Sequence, residues 1–198
     1  MLFRSALQPE ILINDRLQWP QFSWYWQQPG PGVPEEQEIG DFGTPEQGIY
    51  ARPGYLWEAC QTSTSRLWGY ARGEHWKSAA QLLDLLVECA GRGGNFLLNV
   101  GPQPDGQLPA EFVERMQQIG DWMAVNGEAI YGSEGGGVTE FVTNGWQTVR
   151  GTNLYLILRY PDGRDTFRLP DLAVPVTRAV LLATGQALPV TGGQCMLK

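Results

Sequence analysis

Histidine is almost missing from this chain: of its 198 residues, His75 is the only one. Neither a His-based metal site nor a Ser-His-Asp triad therefore has its parts. Cysteine is scarce as well. Cys60, Cys89 and Cys195 are too few and too scattered for a disulfide framework. Cys60 and Cys89 fall in an expected strand and an expected helix, where a free cysteine behaves as a small buried hydrophobe. Basic charge is short: 14 Lys and Arg stand against 21 Asp and Glu, a net charge of -7. Nucleic acids and anionic membranes want basic patches, so neither is an expected partner. No apolar run reaches the length of a membrane span, roughly 18 residues, and Met1-Leu2-Phe3-Arg4 is not followed by the apolar core of a signal peptide. No metal and no cofactor are expected.

What is present is a globular composition, 42 % hydrophobic and 18 % charged, in a chain long enough for one domain or one and a half. The stretch from Gly93 to Gly106 organises the rest. Phe96 to Val100 is an apolar run between glycine-rich breaks, too short for a buried helix, and reads as a strand buried on both faces. Asn99 is its one polar interruption, near the C-terminal end. Gly101-Pro102 and Pro104-Asp105-Gly106 then force a turn. A helical pattern precedes the strand and another follows it. Helix, buried strand, loop, helix is the unit of a parallel α/β fold, in which the loop after the strand carries chemistry. An ordinary core strand with an ordinary turn is the competing reading.

Along the chain, Ile11 to Asn14 reads as a short strand whose polar end, Asn14-Asp15-Arg16, faces either a site or simply solvent as an Asp15–Arg16 pair. Residues 17 to 50 show no periodicity but carry Trp19, Phe22, Trp24, Tyr25 and Trp26 among prolines. Such long loops are functional or disordered, and five aromatics argue against disorder. Aromatic faces stack on the C–H faces of sugars, so a pocket rim suits them, although they also serve simply to pack the loop. Glu35, Glu36 and Glu38 read as a solvated run. Tyr55 to Cys60 is the next strand. A helix starts at Ser78, with Gln81 at capping-box spacing and a wide apolar face from Leu82 to Ala90. Pro109 fits the first turn of a second helix, whose face is Phe112, Met116, Ile119 and Met123 and whose stop is Asn126-Gly127. From Gly132 the composition changes to glycines and short alternating runs, with Pro161-Asp162-Gly163 as a hairpin signal. This reads as a small antiparallel β-sandwich.

Asn95 to Pro102 with Asp105-Gly106, and then Val125 to Gly132, resemble the end of the catalytic barrel of the α-L-fucosidases of glycoside hydrolase family 29. Ile13-Asn14-Asp15-Arg16, Gly40 to Glu46, and Trp57-Glu58 with Trp68-Gly69-Tyr70 fit the same family in the same order, so the resemblance covers residues 9 to 132. It implies an α/β fold, the C-terminal part of a (β/α)8 TIM barrel over residues 1–134, followed by a C-terminal β-sandwich over residues 135–198. A full barrel takes roughly 250 residues, so about half a barrel is expected. The implied activity is that of a retaining exo-α-L-fucosidase, working through a covalent fucosyl-enzyme on a fucosylated glycan. Glu46, in Thr44-Pro45-Glu46, matches the general acid/base; a surface-loop carboxylate is its alternative. Arg16, Trp57, Glu58 and Trp68 match sugar-contacting positions, with a core tryptophan the alternative for Trp68 and a buried, hydrogen-bonded carboxylate that for Glu58. The family nucleophile is an Asp in a Trp-x-Asp motif, and none precedes Asn14. Asp15 is not its equivalent, since the Asn-Asp-Arg motif lies downstream of the nucleophile in the family. The expectation is a fragment inactive alone, partnered by the missing N-terminal barrel half or by a second copy. A non-catalytic sugar-binding or structural remnant is the alternative. An exported or lysosome-like compartment is common in the family.

Overall fold

The computed structural model describes residues 8, 10–17, 40–49, 54–135, 145–159, 166–168, 176–191 and 194–196. Its organising feature is a set of extended segments running in parallel. Asn14 bridges Phe42, Gly43 bridges Trp57 and Glu46 bridges Cys60. Strand β1 (Glu58–Thr62) then pairs with β2 (Asn95–Asn99), Glu58 opposite Asn95 and Thr62 opposite Asn99. The expected strand over Ile11 to Asn14 is reduced to a single bridge and a 3-10 turn, Asp15–Leu17. Segment 41–46 was not expected as a strand at all. Gly43 and Pro45 break its pattern, yet its backbone is bonded on both sides: Asp41 N donates to Ile13 O, Asp15 N to Phe42 O, Glu58 N to Gly43 O and Cys60 N to Pro45 O. Pro45 has no N–H to give, and only its carbonyl is asked for.

Helix α1 (Ala79–Gly91) begins as expected, with Ser78 and Gln81 closing a reciprocal capping box. Leu82, Val87 and Cys89 are buried on it. It covers one face of β1 and β2, where Trp57, Ala59 and Cys89 form the core with Ile49 and Phe96 against them. The opposite face behaves differently. Leu97 is 42 % exposed, so the expectation of a strand buried on both faces holds on the helix side only. Period-two alternation puts Phe96 and Leu98 on one face and Leu97 and Asn99 on the other, and the described residues cover only the first. Helix α2 (Ala110–Asn126) follows, with Pro109 at its N-cap, Phe112 buried, and a 3-10 turn Gly127–Ala129 after it.

The remainder is antiparallel. Strands β3 (Glu134–Gly135), β4 (Gly145–Arg150) and β5 (Asn153–Leu158) form one sheet in that order. Strand β3 straddles the expected domain boundary. The β4–β5 hairpin turns at Gly151, φ 59°, a signal the sequence reading passed over. β6 (Thr166–Arg168), β9 (Val190–Thr191) and β10 (Gln194–Met196) form a second sheet, and β7 (Ala179–Leu181) with β8 (Gln186–Leu188) a third. The first of the alternating runs expected after Gly132, the Pro161-Asp162-Gly163 hairpin and the aromatic stretch from Trp19 to Trp26 lie outside the described residues. The first of these sheets docks on the helices through specific contacts. The Arg92 guanidinium sits 4.8 Å from the centre of the Trp146 ring, Arg159 holds Asp84 with two bonds of 2.9 and 2.7 Å, and Thr148 Oγ1 donates to Ala129 O at 2.6 Å.

Candidate functional site

Because the parallel segments all run the same way, their C-terminal ends lie at one edge. Arg16 follows the first, Glu46 ends the second, Thr62 ends β1 and Asn99 ends β2. A hollow of about 320 Å³ opens there, lined by Arg16, Glu46, Cys60, Trp68, Leu97 and Asn99. Its size is that of a small-molecule site.

Arg16 is the fastener of this edge. Its Nε donates to Thr44 Oγ1 at 2.7 Å, its Nη2 to Thr44 O at 3.2 Å and its Nη1 to Glu46 Oε2 at 3.2 Å. Thr44 Oγ1 in turn donates to Asp15 Oδ1 at 2.6 Å. One planar guanidinium thus joins two segments and fixes the carboxylate of Glu46, which a point-charge lysine cannot do in the same way. The Asp15–Arg16 surface pair that competed with this arrangement in the sequence is replaced by a link through Thr44.

Trp68 is carried by the loop after β1. Lys77 N donates to Ser63 O, Ser65 N to His75 O, and Thr64 bridges Trp76, so the loop leaves and returns as an antiparallel pair with Trp68 in its far part. Gly101 supports it from β2's side: a Cβ there would lie 2.2 Å from Tyr70 N. Trp68 is 37 % exposed, with its side chain at the hollow rather than in the core.

Three residues lie elsewhere than the sequence suggests. Trp57 is 2 % exposed and sits in the core, its ring pressed against Gly94, so it does not reach the hollow. Trp57 and Glu58 are consecutive strand residues and point to opposite faces. Glu58 is half-buried on the face shared with Cys60, one row away from the residues that line the hollow. Cys60 was expected as a buried hydrophobe; it is half-buried and lines the hollow. Burial pushes its thiol pKa up; the Arg16 charge opposes this, and the carboxylates of Glu58, Glu46 and Asp15 add to it, so it is no activated thiolate. Cys89 does behave as expected: fully buried, its pKa is pushed up to about 12, chiefly by burial.

Sequence reasoning missed the role of Thr44 and noted Asn99 only as an interruption. The Asn99 side-chain oxygen is buried without a hydrogen-bond partner. Such an acceptor costs about 1–3 kcal/mol, a cost that a ligand hydroxyl placed there would relieve. Among the described residues no group of His, Cys, Asp and Glu could hold a metal ion. The hollow thus brings together the indole of Trp68, the apolar Leu97, the Asn99 amide and one carboxyl group held by an arginine.

Comparisons with known proteins identify the family. The family model described as alpha-L-fucosidase matches residues 4–128. The chain is 37 % identical over 154 residues to an alpha-L-fucosidase of Dictyostelium discoideum, covering 75 % of this chain and 30 % of that protein. In structure it is similar to alpha-L-fucosidase isoenzyme 1 from Paenibacillus thiaminolyticus, with a TM-score of 0.79 and 30 % identity over 98 % of this chain and 47 % of that one. It is also similar to the Thermotoga maritima alpha-fucosidase in complex with fucose, with a TM-score of 0.72 and 27 % identity over 99 % of this chain and 43 % of that one. The chain belongs to the α-L-fucosidases, glycoside hydrolase family 29. It spans 18–30 % of the length of the curated relatives it matches and 47 % and 43 % of these two solved structures.

Proposed function

We propose that this chain supplies the acid/base side of a retaining exo-α-L-fucosidase site, on the C-terminal half of a (β/α)8 barrel over residues 1–134 with a β-sandwich over 135–198. The observation that carries the reading is the Glu46 carboxylate held by Arg16 beside Trp68, at the C-terminal ends of parallel segments. That edge is where barrel enzymes keep their chemistry. The sugar is a terminal α-L-fucosyl residue of a glycan, a reading supported by the fucose bound to the Thermotoga relative.

In a retaining glycosidase two carboxyl groups flank the scissile bond about 5–5.5 Å apart. Glu46, protonated, gives its proton to the leaving oxygen while the nucleophile attacks the anomeric carbon. Glu46, now ionised, takes a proton from water as that water attacks the fucosyl-enzyme. Arg16 keeps the carboxylate in place through both half-reactions. Trp68 forms an apolar wall suited to the C6 methyl that separates fucose from galactose, while Glu58 lies one row behind the lining of the hollow on the same face. These residues contain no Trp-x-Asp, so the nucleophile strand is supplied from outside them.

The test has two arms. The 198-residue chain alone should not turn over an aryl α-L-fucoside, since losing one member of a catalytic unit costs many orders of magnitude. Clear turnover by a folded monomer would overturn this and make Asp41 or Glu58 the nucleophile. In an enzyme completed with the nucleophile-bearing strands, Glu46→Ala should hurt fucosides with poor leaving groups far more than activated aryl fucosides, and azide should restore turnover. Equal loss on both, without rescue, would move the acid/base role to Glu58.

A further inference from the structure

Gln47, the residue after Glu46, has φ 54° and is the one non-glycine residue with positive φ among the described residues. For an L-residue this left-handed conformation is unfavourable, and it persists only where the surroundings impose it. The surroundings here are specific. Gln47 N donates to Cys60 O at 2.9 Å, which keeps the chain on the ladder one step past the Glu46–Cys60 bridge. Its side-chain Nε2 donates to Thr62 Oγ1 at 2.9 Å. One residue on, Gly48 O accepts from Gln61 Nε2 at 3.3 Å. Thr62 is fully buried and is itself fixed: its Oγ1 donates to Thr64 O at 2.7 Å and accepts from Lys77 Nζ at 3.1 Å. The same ammonium also bonds Thr62 O at 2.5 Å and Thr64 O at 2.9 Å.

We infer that Gln47 is a positioning residue for Glu46: its side chain, tied to Thr62 beneath Lys77, holds the left-handed turn that aims the Glu46 carboxylate at Arg16 and the hollow. The inference rests on the reading of Glu46 as the acid/base. Every tie comes from the end of β1, so the carboxylate is aimed by the neighbouring strand rather than by its own segment. Lys77 does two things at once, since Thr62 and Thr64 also begin the loop that carries Trp68. The carboxyl group and the apolar wall thus share one anchor. A turn imposed at an unfavourable φ directly beside a reacting group is where stored strain is expected to serve function.

Gln47→Gly separates the two roles of this residue. Glycine accepts the left-handed conformation freely, so the turn loses its strain, but it has no amide to tie to Thr62. In the 198-residue chain, Gln47→Gly should melt at or above the wild-type temperature, while NMR shows the Arg16–Glu46 side-chain contact averaged away. In the completed enzyme, the same variant should lower kcat on a poor-leaving-group fucoside about tenfold or more, with KM nearly unchanged and the activated aryl fucoside hurt less, because a small misplacement of a reacting group is costly. Thr62→Val should reproduce the loss; being buried, it is scored only where its circular dichroism matches wild type, and Gln47→Gly decides otherwise. An intact Arg16–Glu46 contact in Gln47→Gly overturns the inference, as does a kcat equal to wild type. A completed wild-type enzyme without turnover on any fucoside would refute the fucosidase reading instead, and the contact measurement would still decide the role of Gln47.

Discussion

Two tryptophans eleven residues apart should behave as opposites. Trp57 is 2 % exposed, with its six-membered ring against the Gly94 backbone and Ala59, Cys89 and Phe96 around it. Removing it leaves a cavity that β1 and α1 cannot close without moving, and Trp→Ala in such a setting costs about 3–5 kcal/mol. Against a typical stability of about 5–15 kcal/mol, that is about a fifth of the total or more. Trp68 is 37 % exposed on a loop whose backbone pairs with itself, so Trp68→Ala should cost only about 1 kcal/mol or less. Urea unfolding followed by far-UV circular dichroism measures both without depending on tryptophan fluorescence. The functional readout runs the other way. In the completed enzyme, Trp68→Ala should raise KM for a fucoside and erode its preference over the matching galactoside by about 10–200-fold, the worth of a methyl in an apolar pocket. Trp57→Ala, where it still folds, should leave that preference alone. Equal destabilisation by the two variants, with KM unchanged in Trp68→Ala, would show that Trp68 is a core residue and refute the reasoning.

Gly101→Ala would place a Cβ 2.2 Å from Tyr70 N and 2.3 Å from Gly69 C, so the Trp68 loop must move; overpacking of this kind costs about 1–3 kcal/mol, and KM should rise together with the drop in melting temperature. An unchanged KM would mean the loop is not held from β2. Burial lowers the Lys77 pKa below its ordinary 10.5, so the folded chain binds that proton less tightly than the unfolded chain does. The stability difference between wild type and Lys77→Met should therefore move in wild type's favour as pH rises through the lowered pKa toward 10.5, measured by denaturation at a series of alkaline pH values. A flat difference would mean that the three oxygens around the ammonium offset its burial.

Local signals determined much of this protein. The capping box at Ser78 and Gln81, the apolar face of α1, the stop at Asn126-Gly127 and the β2 run are short-range patterns, and each appears close to where the sequence puts it. The run of short motifs grouped Glu46, Arg16 and Trp68 as an expectation, and the structure has those three lining one hollow. Tertiary structure decided the rest. Segment 41–46 joins the parallel ladder because its neighbours on both sides bond its backbone, while its own Gly43 and Pro45 argue against a strand. Trp57 and Glu58 stand together in the sequence, but the face that α1 covers assigns the tryptophan to the core and leaves only the glutamate on the side of the hollow. Cys60 became a lining residue by the same alternation. Thr44 and Gln47 gained their roles from partners 28 and 15 residues away. A side chain's residue type is local information, but the face it takes and the partner it meets depend on which strand lies alongside, and only the folded chain decides that.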